Sequence, residues 1–246
     1  MKRTITTFAA LALAALALSA AASSASAALP EFTKSGVCEQ TGELLWLYTE
    51  SACATDSVGE TGEFALSPIL TSSPSATLET VGGLQIACTK KSLGQGETTG
   101  VKTVSRLVLK FKECSSGANS CGTGGTVTSN RLQGTLGYIN ATNKEVGLDL
   151  TSEAGGGALL EFTCEGTVGK VQVKGSVIGA ITPVNTSTGG YTLTFALTKT
   201  GKQNITKFEG GAEDVLELSK EGGAFEKTAL EATDTVIPLV EGEIKA

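Results

Sequence analysis

Short runs of alternating polarity, each cut off by glycine, restrict this chain to sheet. Leu107, Leu109 and Phe111 fall on one side of an extended segment, with Arg106, Val108 and Lys110 on the other, which is the two-residue period of a half-buried strand. Val146, Leu148 and Leu150 oppose Glu145 and Asp149 in the same way. Leu160, Phe162 and Cys164 oppose Glu161, Thr163 and Glu165, and Val171 and Val173 oppose Lys170, Gln172 and Lys174. Tyr191, Leu193, Phe195 and Leu197 oppose Thr192, Thr194 and Ala196. Weaker strand signals lie at 76–80, 84–89, 135–139, 215–218, 235–237 and 240–244. The 31 glycines have no three-residue period, so they mark turns rather than a collagen helix. Strands this short and this regularly interrupted predict an all-β fold, an antiparallel β-sandwich or β-barrel. After residue 28 the best place for helix is one short turn between Glu221 and Ala232.

The N-terminus points to export. Lys2 and Arg3 precede an uncharged apolar run from Phe8 to Ala22, and Ala25-Ser26-Ala27 supplies the small residues a signal peptidase requires, so residues 1–27 read as a removed signal peptide. The apolar run falls short of the roughly 20 residues a membrane span needs. Cleavage removes Lys2 and Arg3 and no acid, so the 19 basic residues fall to 17 against 25 acidic ones, and the net charge moves from −6 to −8. A chain this acidic has no electrostatic reason to approach nucleic acid or an anionic membrane. The expected location is secreted and extracellular. Residues 28–75 hold Cys38, Cys53 and the strand candidate Leu44–Tyr48, and end in a Ser/Pro-rich run. They read either as a cysteine-containing appendage to a main β domain at 76–246 or as a donor of strands to the same core.

All six cysteines, Cys38, Cys53, Cys88, Cys114, Cys121 and Cys164, follow the export signal. With no CxxC pair and no histidine, disulfides are the expected use and zinc is not. Six cysteines allow 15 connectivities. The pairing expected from proximity in sequence is Cys38–Cys53, Cys114–Cys121 across a Ser/Gly/Asn loop, and Cys88 with Cys164.

Several phrases together carry a resemblance. They are Leu78-Glu79-Thr80-Val81-Gly82-Gly83, Gly134-Thr135-Leu136-Gly137-Tyr138-Ile139-Asn140, Glu145-Val146-Gly147-Leu148-Asp149-Leu150, Gly175-Ser176-Val177-Ile178-Gly179 and Phe208-Glu209-Gly210-Gly211. Over roughly residues 76–246 the chain resembles a group of uncharacterised secreted proteins of high-GC Gram-positive soil bacteria with no known activity. The resemblance implies a bacterial exported protein and carries no catalytic or binding residue with it.

The chain contains no histidine, which removes Ser-His-Asp and Cys-His nucleophilic systems, histidine metal sites and histidine bases. No Ser-x-x-Lys and no Gly-x-Ser-x-Gly occurs. Gly94–Gly100 and Gly122–Val127 match neither phosphate-binding glycine motif and read as turns. Only four aspartates occur, and none lies in a calcium loop. No cofactor and no metal is expected. A carboxylate pair remains open, and Glu241 and Glu243 have the spacing that would bring two carboxylates about 6.6 Å apart on one strand face, though a solvated strand face explains them more simply. The binding candidates are Trp46 and Tyr48, whose rings share one strand face and could stack on a sugar, unless the single tryptophan is core. The reading is a secreted non-catalytic β-scaffold that binds a glycan or an envelope component. The alternatives are a carboxylate-dependent extracellular glycan-acting enzyme and a structural cell-envelope protein.

Overall fold

The computed structural model describes residues 29–34, 62–68, 76–199, 201–238 and 241–246. The signal segment, Cys38, Cys53, Trp46 and Tyr48 lie outside them. The strands in chain order are β1 (Glu31–Lys34), β2 (Gly62–Pro68), β3 (Ala76–Thr80), β4 (Gln85–Thr98), β5 (Thr103–Ser116), β6 (Asn119–Ser120), β7 (Val127–Thr128), β8 (Leu132–Asn140) and β9 (Glu145–Ser152). They continue with β10 (Ala158–Cys164), β11 (Gly169–Thr182), β12 (Tyr191–Phe195), β13 (Leu197–Lys199), β14 (Lys202–Gln203), β15 (Leu216–Lys220), β16 (Glu226–Pro238) and β17 (Gly242–Lys245). All pairings are antiparallel, and no helix occurs among the described residues. The segment expected to form a helical turn instead breaks at Glu221–Gly222 and enters β16. Ala232, Asp234 and Val236 are buried in alternation with half-buried Thr233 and Thr235, while Thr228 and Ala229 are both buried, and the strand changes partners along its length.

Hydrogen bonding closes two rings, which decides for a barrel over an open sandwich. The first runs β2, β4, β5, β8, β9, β11, β12, β16 and back to β2. The second runs β3, β4, β5, the β6–β7 segment, β10, β11, β15, β16 and back to β3. β4, β5, β11 and β16 belong to both, and they are the long strands, of 14, 14, 14 and 13 residues. At about 3.3 Å per residue each reaches over 40 Å, enough to serve two rings in succession. β1 pairs with β17, and β2 enters between β4 and β16, so chain preceding residue 76 is hydrogen-bonded to chain following it.

A strand that serves two rings must turn where it passes from one to the other. β11 does so at Gly175, with residues up to Gly175 paired to β15 and those from Ser176 paired to β9. Gly175 has φ +100°, and a Cβ there would lie 1.9 Å from the Val215 carbonyl oxygen, so only glycine fits. β5 turns through a register shift between Val104 and Leu107, both fully inward, with Arg106 at φ 51° between them. Of the inward residues expected from alternation, Leu107, Phe111, Val146, Leu148, Leu150, Cys164, Val171, Val173, Tyr191, Leu193 and Phe195 are buried in one core, Leu109, Leu160 and Phe162 are partly buried against it, and Leu197 is half-buried in β13.

The described residues contain two disulfides, Cys88–Cys114 and Cys121–Cys164, which overturns the expected Cys114–Cys121 and Cys88–Cys164 pairs. Cys114 and Cys121 do face each other across the β5–β6 hairpin, in register with Ser115–Ser120 and Ser116–Asn119. However, the Cys121 N–H donates to the Cys114 carbonyl, and the Cys114 N–H donates to Gly125, so the Cys114 main chain bonds away from β4. Cys88 and Cys114 are thus a non-hydrogen-bonded pair, with Cα atoms typically about 4.5 Å apart rather than the about 5.5 Å of a hydrogen-bonded one. Cys121 and Cys164 form a second narrow pair, flanked by Gly122 donating to Thr163 and Glu165 donating to Ser120. The four cysteines stand in one row across β4, β5, the end of β6 and β10, and sulfur bonds form at the two narrow crossings.

Peptide mapping of the unreduced protein is expected to recover these two pairs. By loop-closure entropy, replacing Cys121 and Cys164 by Ala should cost about 4 kcal/mol, and replacing Cys88 and Cys114 about 3.5 kcal/mol, because the sequence separations are 43 and 26. Urea unfolding of the two double variants checks the order; the reverse order would mean that strand pairing, not loop closure, sets the contributions.

Candidate functional site

Two polar constellations stand out. The first is a cleft of about 590 Å³ lined by Gly122, Thr123, Thr126, Thr128, Glu161, Phe162 and Thr163. Its floor is the seam where the second ring closes. Between the Cys121–Cys164 and Ser129–Leu160 bridges, residues 122–128 leave β10 and fold on themselves. Thr123 and Thr126 exchange both main-chain hydrogen bonds, 3.0 and 3.1 Å, around Gly124 and Gly125, whose φ angles of 59° and 74° are those of a two-residue hairpin turn. Gly122, at φ +81°, opens this excursion, and a Cβ there would lie 2.1 Å from the Thr126 carbonyl oxygen. The glycine-rich run read from the sequence as a turn is therefore one, and it projects threonines on one side of the cleft while β10 supplies the other.

Strand alternation then determines which groups reach solvent. Glu161 and Thr163 are exposed, while Cys164 points inward and is buried. Gln172, across from Glu161 on β11, donates its side-chain N–H to Glu161 Oε1 at 2.8 Å. That bond fixes the carboxylate while leaving its second oxygen with acceptor capacity. Threonine hydroxyls, a held carboxylate and partly buried Phe162 give donors, acceptors and an apolar patch in a space of the size that takes a small ligand.

The second constellation is a pair of carboxylates on the outside of the first ring. Residues 204–215 cross from β8 to β11 over β9. Glu209 donates its N–H to the Tyr138 carbonyl (2.7 Å) and accepts from the Ala141 N–H (2.6 Å), while Ser176 donates its N–H to the Val215 carbonyl (3.2 Å) and its hydroxyl to Asp214 Oδ1 (2.6 Å). Phe208 lies on Gly137, where a Cβ would come within 2.5 Å of its ring. This strap accounts for strands buried on both faces: Val146, Gly147 and Leu148 are all buried, and so are Val177, Ile178 and Gly179. Asp149, on the outer face of β9, is caught under it with Oδ1 buried and unbonded. Burial first, and Asp214 second, push its carboxyl up to about 7, against a lowering by the Val177 N–H. Neither aspartate lines the cleft, and a raised pKa marks a reaction centre only where substrate can reach it. The pair bears on stability.

The sequence candidates fare differently. Trp46 and Tyr48 lie outside the described residues. Glu243 sits in β17, where its carbonyl accepts from the Thr33 hydroxyl at 3.1 Å, and Glu241 precedes that strand; neither lines the cleft. The cleft threonines and Glu161 were not singled out by sequence reasoning, although the paired glycines flanked by threonines are the available signal. No group of three or more potential ligands that could hold a metal occurs among the described residues. No helix among them is long and apolar enough to cross a membrane. No family model, curated protein or solved structure matches the chain.

Asp149 binds a proton in the folded state that the unfolded chain releases, so its contribution is full below about pH 4 and is lost as pH rises through about 7. Discounted for partial exposure, the loss should be about 2 kcal/mol. Asp149→Asn, which mimics the neutral acid, is expected to match the parent in urea unfolding at pH 4 and exceed it by about that amount at pH 8.5. An identical pH profile in both proteins would show that the carboxyl is not held neutral.

Proposed function

We propose that the mature chain is an exported, non-catalytic binding protein whose cleft between the Thr123–Thr126 hairpin and β10 takes a neutral, hydroxyl-rich glycan. The observation that carries this reading is the cleft's composition: four threonines and one oriented carboxylate around a space of about 590 Å³. Hydroxyls that both donate and accept, with a carboxylate that only accepts, complement sugar hydroxyls, which do both. Two features favour binding over turnover. Glycoside hydrolysis ordinarily uses two carboxyl groups about 5–9.5 Å apart, and among the described residues Glu161 is the only carboxylate lining the cleft. Glu161 is also exposed and held by an amide, so nothing near it resembles the apolar pocket that makes a carboxylic acid a proton donor.

Export is part of the proposal. It is supported by the N-terminal pattern and by two disulfides, which persist in oxidising compartments. The site is well suited to binding because its frame is rigid: one wall begins at a disulfide and the other is a strand paired along its length to β11.

Glycan arrays and immobilised cell-wall polysaccharides are expected to retain the purified protein. Glu161→Gln and Thr128→Val should each weaken that binding by about tenfold, the result of losing roughly one hydrogen bond to a polar ligand, with thermal stability unchanged because both side chains face solvent. Failure to bind anything across a broad neutral-glycan and envelope panel would overturn the reading.

A further inference from the structure

Inside the second ring, directly behind the cleft, lies an apolar cavity of about 50 Å³. Its walls come from every strand around that ring, including Leu78, Ile86, Val127, Leu159, Val173 and Leu216. Of the polar residues beside it, Ser129 already accepts the Leu109 N–H at 2.9 Å. The space exceeds the roughly 10–15 Å³ a single water needs, yet it offers water almost nothing to bond, and apolar cavities of this kind stay dry and admit apolar molecules.

Among the described residues, Phe162 alone lines both this cavity and the polar cleft. It stands at the seam, where the neighbouring chain has turned away into the Thr123–Thr126 hairpin, and it is only partly buried. Moving its ring leaves the main-chain pairing of β10 with β11 intact. We propose that cleft and cavity are one site for a neutral amphiphile, with a sugar or polyol headgroup among the threonines and Glu161 and an alkyl chain entering the ring past Phe162. The headgroup is uncharged because the cleft's one charged side chain is a carboxylate and the chain as a whole is acidic, which disfavours phosphate or carboxylate heads. The chain is hydrocarbon because a polar group inside the ring would be left without a partner. This deepens the glycan reading and rests on it.

Calorimetric titration of the full mature protein with methyl, butyl, hexyl and octyl glycosides tests it, using glucose, galactose, mannose and N-acetylglucosamine heads below micelle-forming concentrations. Affinity is expected to rise with chain length, by about fourfold for each methylene that becomes fully buried, and to level off once the roughly 50 Å³ of the cavity is filled. Phe162→Trp, which fills the passage, should flatten the dependence of affinity on chain length, whatever it does to the methyl glycoside. Phe162→Leu, a milder change that preserves the core, should keep it. Binding that is independent of chain length would overturn the amphiphile site and leave the glycan reading standing. Chain-length dependence that survives Phe162→Trp would also overturn it, since the chain would then lie on the surface. Absence of binding by every member of the series would overturn both.

Discussion

The second ring closes at a seam where hydrogen bonding is thin, and one covalent bond holds it there. Elsewhere around both rings neighbouring strands share ladders of at least two pairs, from two between β15 and β16 to eight between β8 and β9. Between β10 and the β6–β7 segment there are isolated bridges at Ser129–Leu160 and Cys121–Cys164, with the 122–128 excursion between them. Cys121–Cys164 fixes one end of that opening, and Cys88–Cys114 fixes the adjoining pair of long strands. The arrangement reconciles two opposed demands. A barrel needs closure to hide its edges, whereas a binding cleft needs a place where the wall is interrupted. The sulfur bridge supplies closure without the hydrogen bonds that would fill the cleft.

Strand existence was readable in the residues because half-buried strands leave a period of two. The inward sets at 146–150, 171–173 and 191–195 are buried as that period requires, and at 107–111 Leu107 and Phe111 are buried with Leu109 partly so. What periodicity cannot show is which strand serves two rings. β4, β5, β11 and β16 carry no unusual pattern, only corners such as Gly175, and glycine has many other uses. It also fails where a strand is covered on both sides: Val177, Ile178 and Gly179 are consecutive and all buried where the 204–215 strap crosses.

The cysteines show the same limit from another direction. Proximity along the chain favoured Cys114 with Cys121, and the two are opposite one another in space. Whether opposed cysteines bond depends on whether their main chains point toward or away from each other, an alternation set by register rather than by composition. The cleft was hidden for a related reason. Its threonines lie on two segments about 35 positions apart, and only the seam brings them together, whereas an adjacent aromatic pair such as Trp46 and Tyr48 is visible at a glance.

Because β16 is a member of both rings, neither can be completed until residues 226–238 have left the ribosome. Until then the described strands have open edges, and β2, β3 and β12 wait for a second partner that lies C-terminal to all three. Such long-range pairing makes folding slow and exposes unpaired strands in the interval. A protein built this way cannot close either ring progressively from its earlier strands; both close only when β16 is in place.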